Sequence, residues 1–176
     1  MKRHGERYTL LHPQQPGDWI VKTPSVSHPF MPANEFSVMR LAEAVGIPIP
    51  EIELVPIERL EGLPSLSLPP SEQWAYAIRR FDRDGGRKIH MEDMAQVMNV
   101  RANDKYGRTN YETLGRILDA ELLSPAQGLR DYAQRLMVNI LFANGDAHLK
   151  NWSLLYPDRR TPVLAPAYDL LFTQVY

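Results

Sequence analysis

The chain has 176 residues, of which 44% are hydrophobic and 23% are charged. These values are typical of a globular domain with one substantial core. A formal net charge of -1 offers little attraction to a phosphate backbone, so direct nucleic-acid binding is not expected. The absence of cysteine excludes a disulfide framework and favours a cytoplasmic location. No apolar stretch has membrane-spanning length, so a membrane partner is not expected either.

The first half of the chain predicts a small sheet that carries one helix. Short β-prone runs predict strands at residues 8–11, 19–23, 52–57 and 74–81. Between the second and third strands, Asn34 can cap a helix that ends at Gly46. Apolar residues recur along it at helical spacing, namely Phe36, Met39, Ala42 and Val45.

The second half predicts mainly helices. Helical patterns occupy residues 91–97, 111–118 and 125–142, the last of them behind a Ser124 cap. The apolar stripe expected to face the core in that last helix consists of Leu129, Ala133, Leu136, Met137, Ile140 and Leu141. A polar loop and two short strands, at residues 152–155 and 162–165, follow. The change from strands to helices near residue 85 predicts two lobes.

The polar loop after the longest helix carries the strongest chemical signal. It reads Asn144-Gly-Asp-Ala-His-Leu-Lys-Asn151 and holds an Asp-x-His-x-x-Asn pattern. In kinases, an Asp and an Asn at this spacing share one loop because the Asp orients the acceptor hydroxyl while the Asn amide oxygen binds Mg²⁺ nearby. Asp146 and Asn151 have that spacing. The alternative is that they are ordinary polar residues of a loop.

A second carboxylate, Asp169, follows the last predicted strand at the distance of one hairpin from the polar loop. Two carboxylates and an amide can hold Mg²⁺ against nucleotide phosphates, since this ion prefers oxygen ligands. Asp169 is therefore the expected metal ligand. The alternative is an Asp that caps the next turn.

Lys22 lies within the second predicted strand, and Glu35 lies in the first turn of the helix that follows. A strand lysine can neutralise phosphate charge, and a glutamate on the next helix can pair with it and fix its position. The alternatives are a solvated edge charge for Lys22 and a helix-dipole contact for Glu35.

The strand that ends at Phe81 lies between the two halves, where a kinase has its hinge. Free backbone groups there would read the edge of an adenine, and Phe81 could pack near the ring. The alternative for Arg79 and Arg80 is an exposed basic strand.

Taken in order, these motifs resemble those of the HipA-like serine/threonine kinases, the toxins of bacterial toxin–antitoxin pairs. The lysine strand Ile20-Val-Lys-Thr-Pro24 and the helix start Asn34-Glu35 resemble theirs, as does the hinge segment Arg80-Phe-Asp-Arg83. The loop at residues 144–153 and the segment Pro166-Ala-Tyr-Asp-Leu-Leu171 also resemble the family's catalytic and metal loops. The resemblance covers almost the whole chain.

The resemblance implies an α+β fold of the two-lobed, protein-kinase-like type, here truncated at both ends. A small β-rich N-lobe with the hinge would occupy residues 1–83, and a partial, mostly helical C-lobe would occupy residues 84–176. Asp146 would be the catalytic base, Asn151 and Asp169 would bind Mg²⁺, and Lys22, held by Glu35, would contact the ATP phosphates. The other residues expected beside ATP are Arg79, Arg80, Phe81, His148, Lys150 and Tyr168.

The resemblance also implies a substrate and a partner. Members of the family transfer the ATP γ-phosphate to Ser or Thr of a protein, with aminoacyl-tRNA synthetases as the known type of target, and a DNA-binding antitoxin restrains them. Two departures from the family are visible. The resemblance implies a Gly-rich loop over the phosphates before the first strand pair, where Gly5 is the sole glycine, and a further set of helices after the Asp169 segment. Both are expected to be lacking here. This chain is therefore expected to bind nucleotide poorly and to have little kinase activity.

Two alternatives to a protein kinase remain open. A non-catalytic module with this fold could sequester an antitoxin or another partner. A small-molecule phosphotransferase of the aminoglycoside-kinase type would share the loop chemistry but fits the hinge and helix motifs less well.

Overall fold

The computed structural model describes residues 1–12, 15–64, 68–100 and 110–176. The strands are β1 (Lys2–His4), β2 (Arg7–Thr9), β3 (Trp19–Lys22), β4 (Ile52–Pro56), β5 (Leu60–Glu61), β6 (Trp74–Arg79), β7 (Arg83–Asp84), β8 (Arg87–Lys88), β9 (His90–Asp93), β10 (Ser153–Tyr156) and β11 (Val163–Leu164). The α-helices are α1 (Met31–Ala44), α2 (Met94–Val97), α3 (Tyr111–Glu121) and α4 (Pro125–Leu141). Among these described residues, no helix is long and apolar enough to cross a membrane.

Strand β6 is the centre of the first lobe. It pairs antiparallel with β3 on one side and with β4 on the other. Because side chains alternate along a strand, Ala75 and Ala77 enter one apolar cluster while Tyr76 and Ile78 enter another. The first cluster packs towards the small sheet β1-β2-β5, and the second packs against α1. The strands predicted at residues 8–11 and 19–23 therefore exist but belong to different sheets.

Helix α1 begins earlier than the sequence predicted. It starts at Met31 with Pro32 in its first turn, a position that favours proline. Asn34 consequently lies inside the helix and caps nothing. Its side-chain amide instead donates to the carbonyl of Phe172 at 2.8 Å and accepts from the N–H of Phe172 at 3.0 Å. Val45, expected on the buried face, follows the last helical residue and is largely exposed.

The second lobe is built from α2, α3, α4 and the antiparallel sheet β9-β10-β11. Its core contains Leu114 and Leu118 of α3, Tyr132 of α4, and Trp152 and Leu154 around the start of β10. The helix predicted at residues 91–97 is wrong in its first part, because residues 90–93 pair with β10 as a strand. Only Met94–Val97 is helical, and Asp93 caps it.

The apolar stripe predicted for α4 faces the core only in part, through Leu129 and Leu136, which pack against the core of the second lobe. Met137, Ile140 and Leu141 are exposed, whereas the buried residues of this helix are Gly128, Tyr132, Arg135, Val138 and Asn139. Tyr132 packs on Trp152, and Val138 reaches the cluster beneath α1. The face of α4 that carries Tyr132 and Val138 is therefore the buried one. Ser124 precedes it, but its side chain makes no capping hydrogen bond.

Two methionines in different helices test this arrangement. Met39→Ala should lower the free energy of unfolding by about 2–5 kcal/mol, because Met39 is completely buried and its loss leaves a cavity. Met137→Ala should change it by no more than about 0.5 kcal/mol, because that side chain is 56% exposed. Urea denaturation measures both values. An equal loss of unfolding free energy in the two variants would contradict the observed orientation of α4.

Candidate active site

Lys22 joins three parts of the fold at one point. Its ammonium group contacts both carboxylate oxygens of Glu35 at 2.8 Å and the Oδ1 atom of Asp169 at 2.5 Å. Lys22 ends strand β3, Glu35 comes from α1, and Asp169 comes from the segment after β11. The sequence motifs that suggested a phosphate-binding lysine, its glutamate partner and a metal-binding aspartate therefore meet in space.

The backbone positions each member of this group. Pairing of β3 with β6 places Lys22 opposite Tyr76, on the side of the sheet that carries α1. The buried row of α1 includes Glu35, whose side chain is 1% exposed. Asp169 has a φ of 54°, in the left-handed region that aspartate adopts more readily than most residues. Strained backbone of this kind is common at functional sites.

One ammonium faces two carboxylates, and the pKa values reflect this imbalance. Burial raises the pKa of Glu35 to about 7 even though Lys22 opposes the shift, and the negative charge of Asp169 adds to it. Burial alone would lower the pKa of Lys22, but the two carboxylates outweigh it and raise that pKa. Lys22 therefore stays charged, and the more deeply buried carboxylate is the one that tends to take a proton.

A cavity of about 300 Å³ lies beside Lys22, between the first and second lobes. Its apolar walls are Ile20 and Ile78 from the upper sheet and Met91 from β9. The rings of Phe81 and Tyr168 lie 5.4 Å apart at its side. Its polar lining consists of Lys22, Arg79, Arg80, Asp82, Asp93, Lys150, Ser153 and Asp169. Apolar walls with a few convergent polar groups are typical of small-ligand sites.

The hinge arginines border this cavity, but their side chains are engaged in ion pairs. Arg80 makes two contacts with the buried carboxylate of Asp82, at 2.8 and 2.7 Å, and Arg79 pairs with Glu51 at 3.2 Å. Their backbone N–H groups are also taken, by the carbonyls of Asp18 and Glu51. Phe81 is different, because neither its N–H nor its C=O has a backbone partner within the described residues.

The polar loop between α4 and β10 is organised by Asn144. Its side chain donates to Asn139 at 2.8 Å and to the carbonyl of Asp169 at 3.3 Å, and it accepts from the N–H of Asp146 at 3.2 Å. Asp146 is half exposed, with His148 Nε2 at 3.8 Å from its carboxylate. The loop is thus tied to both α4 and the Asp169 segment.

Seven of the predicted site residues line the cavity, and four do not. The seven are Lys22, Arg79, Arg80, Phe81, Lys150, Tyr168 and Asp169. Glu35 lies behind Lys22, while Asp146, His148 and Asn151 occupy the loop beside the cavity without lining it. The roles assigned to these eleven residues stay predictions.

The donor set fits Mg²⁺ that is held together with a nucleotide. Asn151 is buried, and its Oδ1 atom has no hydrogen-bond partner in the described part of the chain. Asp169 exposes a carboxylate to the cavity. Among the described residues, no group of three or more His, Cys, Asp or Glu could hold a metal. A pair of oxygen ligands suits Mg²⁺, which keeps several waters and binds substrate phosphates rather than an all-protein cage.

Sequence reasoning missed several residues at this site. Asp82, Asp93 and Ser153 line the cavity, and Arg135, which the sequence pattern did not single out, is buried beneath the polar loop. The helical spacing of Tyr132, Arg135 and Asn139 was an available signal, since their i, i+3, i+7 pattern marks one face. The predicted apolar stripe of α4 is more hydrophobic than this face and was therefore preferred.

A family model described as the HipA-like C-terminal domain matches residues 2–176. The chain belongs to the HipA-like C-terminal domain family. The expected relationship to HipA-like kinases is thereby confirmed, and so is the two-lobed α+β fold of kinase type. In this member of the family, the lysine strand, the polar loop and the Asp169 segment each contribute residues to one cavity.

Individual relatives support the same assignment. A Sinorhizobium fredii protein named "Putative kinase Y4dM" is 45% identical over 160 residues, which cover 91% of this chain and 38% of that protein. The serine/threonine-protein kinase toxin HipA of Shewanella oneidensis is 26% identical, with 98% of this chain and 41% of that protein covered. The chain thus spans less than half the length of these relatives.

A solved structure shows the same fold. It is the complex of Shewanella oneidensis HipA with HipB and its operator DNA. The match has a TM-score of 0.71 at 25% identity and covers 91% of this chain and 38% of that chain.

The pKa of Glu35 leads to a pH-dependent prediction. Between pH 4.5 and about 7 the folded protein holds a proton that the unfolded chain has released, so the free energy of unfolding falls as pH rises through this range. One such proton contributes at most about 1.4 kcal/mol per pH unit. Glu35→Gln should therefore make stability less sensitive to pH across the range.

Urea titrations at several pH values across this range measure the slope of the unfolding free energy against pH. Glu43→Gln is the matched control, because Glu43 lies on the same helix but is exposed. This control should keep the wild-type slope. An unchanged slope in Glu35→Gln would show that Glu35 does not take up the proton.

Proposed function

We propose that this chain forms the ATP- and Mg²⁺-binding region of a HipA-like serine/threonine protein kinase. The contact of Lys22 with both Glu35 and Asp169, at the wall of the inter-lobe cavity, carries this proposal. A lysine held by a helix glutamate and facing a metal-binding aspartate is the arrangement that phosphoryl transfer in kinases requires.

The cavity walls suit a planar base. Ile20 and Ile78 would pack on one face of the adenine and Met91 on the other, since all three line the same space. The edge of the base would be read by the backbone N–H and C=O of Phe81, which lack backbone partners within the described residues. The side chains of Arg79 and Arg80 would support the hinge through Glu51 and Asp82 rather than touch the base.

Lys22 would contact the phosphates and offset part of their charge. Bound Mg²⁺ would offset part of the negative charge on the phosphate oxygens. Asn151 and Asp169 would supply its protein ligands. Asp169 already contacts Lys22, so the lysine holds its carboxylate at the wall of the cavity.

Asp146 would act on the acceptor hydroxyl. Its carboxylate is half exposed, so a protein substrate can reach it, and it lies in the loop that also carries Lys150 of the cavity wall. It would accept the proton of a Ser or Thr hydroxyl as that oxygen bonds to the γ-phosphorus. The bond from the γ-phosphorus to the β–γ bridging oxygen would break, and ADP would leave. Its backbone is fixed by Asn144, which limits its movement during the transfer.

The proposal extends to the biological setting. One relative of known structure is a HipA in complex with HipB and its operator DNA. By analogy, the protein would be the toxin of a toxin–antitoxin pair in the cytoplasm, with a DNA-binding antitoxin as partner. An aminoacyl-tRNA synthetase type of target rests on the family resemblance alone.

Calorimetric titration of this chain with ATP, with and without Mg²⁺, tests the site. Lys22→Met should weaken nucleotide affinity by about tenfold or more, because a charge-assisted contact of about 1.5–3 kcal/mol is lost. Asp169→Asn should remove most of the gain that Mg²⁺ provides. Lys88→Met is the control, since Lys88 is exposed on β8, away from the cavity.

Transfer of labelled phosphate from ATP to a protein acceptor tests the chemistry. Asp146→Asn should lose transfer while it retains nucleotide affinity, because Asp146 acts on the hydroxyl and not on ATP. A wild-type chain that binds no nucleotide under any of these conditions would instead favour a non-catalytic module that sequesters a partner.

A further inference from the structure

Arg135 is buried at the centre of the second lobe. It is 2% exposed and projects from the buried face of α4. Burial lowers the pKa of its guanidinium to about 10, which leaves the group charged at neutral pH. Two of its nitrogens, Nε and Nη1, have no hydrogen-bond partner within the described residues.

This burial is costly if Arg135 serves only to pack the core. Removing a charged group from water carries a large penalty that incomplete hydrogen bonding does not offset. An apolar side chain of similar volume often fills such a place with no loss of stability. The contacts that Arg135 does make therefore indicate what the charge is used for.

The third guanidinium nitrogen, Nη2, contacts two carbonyl groups from different segments. It donates to the carbonyl of Asn151, in the polar loop, and to the carbonyl of Tyr168 at 3.3 Å. Asn151 is one of the proposed Mg²⁺ ligands, and Tyr168 immediately precedes the other, Asp169. One nitrogen thus links the backbones of both metal-binding segments.

Aromatic rings hold the guanidinium on two sides. Its carbon atom lies 4.4 Å from the ring centre of Trp152 and 5.2 Å from that of Tyr168. The hydroxyl of Tyr168 in turn contacts the carbonyl of Lys150 at 2.9 Å and the hydroxyl of Ser153 at 2.5 Å. The rings and the carbonyls together fix the guanidinium plane, which a flexible lysine ammonium would not reproduce.

We propose that Arg135 is a positioning residue, which holds the polar loop and the Asp169 segment at the separation at which Asn151 and Asp169 bind one Mg²⁺. This inference rests on the proposed function, since it concerns the same metal site. Arg135 would act through backbone carbonyls and would touch neither the metal nor the nucleotide. Groups that orient metal ligands in this way typically affect metal affinity by about 10- to 100-fold.

The test compares ATP affinity with and without Mg²⁺ in the wild-type chain and in Arg135→Met. The variant should lose about 10- to 100-fold of the Mg²⁺-dependent affinity. Its affinity for ATP without Mg²⁺ should stay at the wild-type value, because the walls of the cavity are unchanged. Arg135→Lys should lose an intermediate share of the Mg²⁺-dependent affinity, because lysine keeps the positive charge and an N–H donor but lacks the planar guanidinium.

Tyr132→Phe is the matched control for a general loss of stability. Tyr132 lies on the same buried face of α4, and its hydroxyl donates to the carbonyl of Tyr111 at 2.6 Å without contact to either metal-binding segment. This variant should lose stability but keep the wild-type response to Mg²⁺. If Arg135→Met keeps that response, or if Tyr132→Phe loses it equally, the inference is wrong.

Hydrogen exchange separates failure of this inference from failure of the proposed function. Arg135→Met should exchange faster than wild type at residues 149–153 and 167–170, with residues 111–121 unchanged. If the wild-type chain binds no Mg²⁺-ATP, the proposed function fails, and faster exchange confined to those two segments still supports positioning by Arg135. Unchanged exchange in both segments overturns the inference in either case.

Discussion

The ammonium group of Lys22 faces two carboxylates that reach it from different parts of the fold. Glu35 comes from α1 in the first lobe, and Asp169 comes from the segment that follows β11 in the second. A movement of α1 away from β3 would leave the buried carboxylate of Glu35 without its counter-charge, which is costly in a protein interior. This contact therefore ties α1 of the first lobe and the Asp169 segment of the second lobe to β3, at the wall of the cavity.

Strand β6 links that electrostatic contact to the hinge and the cavity. Its side chains are buried on both faces, so the strand is held by apolar clusters above and below the sheet. Its end leads directly into the hinge, where Arg80 and Arg83 hold the buried carboxylate of Asp82 and keep the pKa of that group below its usual value despite burial. The hinge backbone therefore has a defined path along the cavity.

A connected set of hydrogen bonds fixes the positions of the polar groups in the second lobe. Asn144 ties the polar loop to the Asp169 segment, Tyr168 ties that segment back to Lys150 and Ser153, and Arg135 lies beneath both. Groups that are fixed before a ligand arrives need little reorganisation when it binds. Asn151 fits this picture, because its backbone carbonyl is held while its buried side-chain oxygen has no partner among the described residues.

The sequence by itself determined which residue types share a strand or a loop. The spacing of Asp146 and Asn151, the strand around Lys22 and the order of the motifs indicated the family and the two-lobed fold, because these are local features. Only the tertiary structure decided that α4 buries Arg135 and exposes Met137, and that Asn34 bonds Phe172 instead of capping a helix. The physical reason is that packing partners remote in sequence, Trp152 and the cluster under α1, decide which of the two faces suggested by local periodicity is buried.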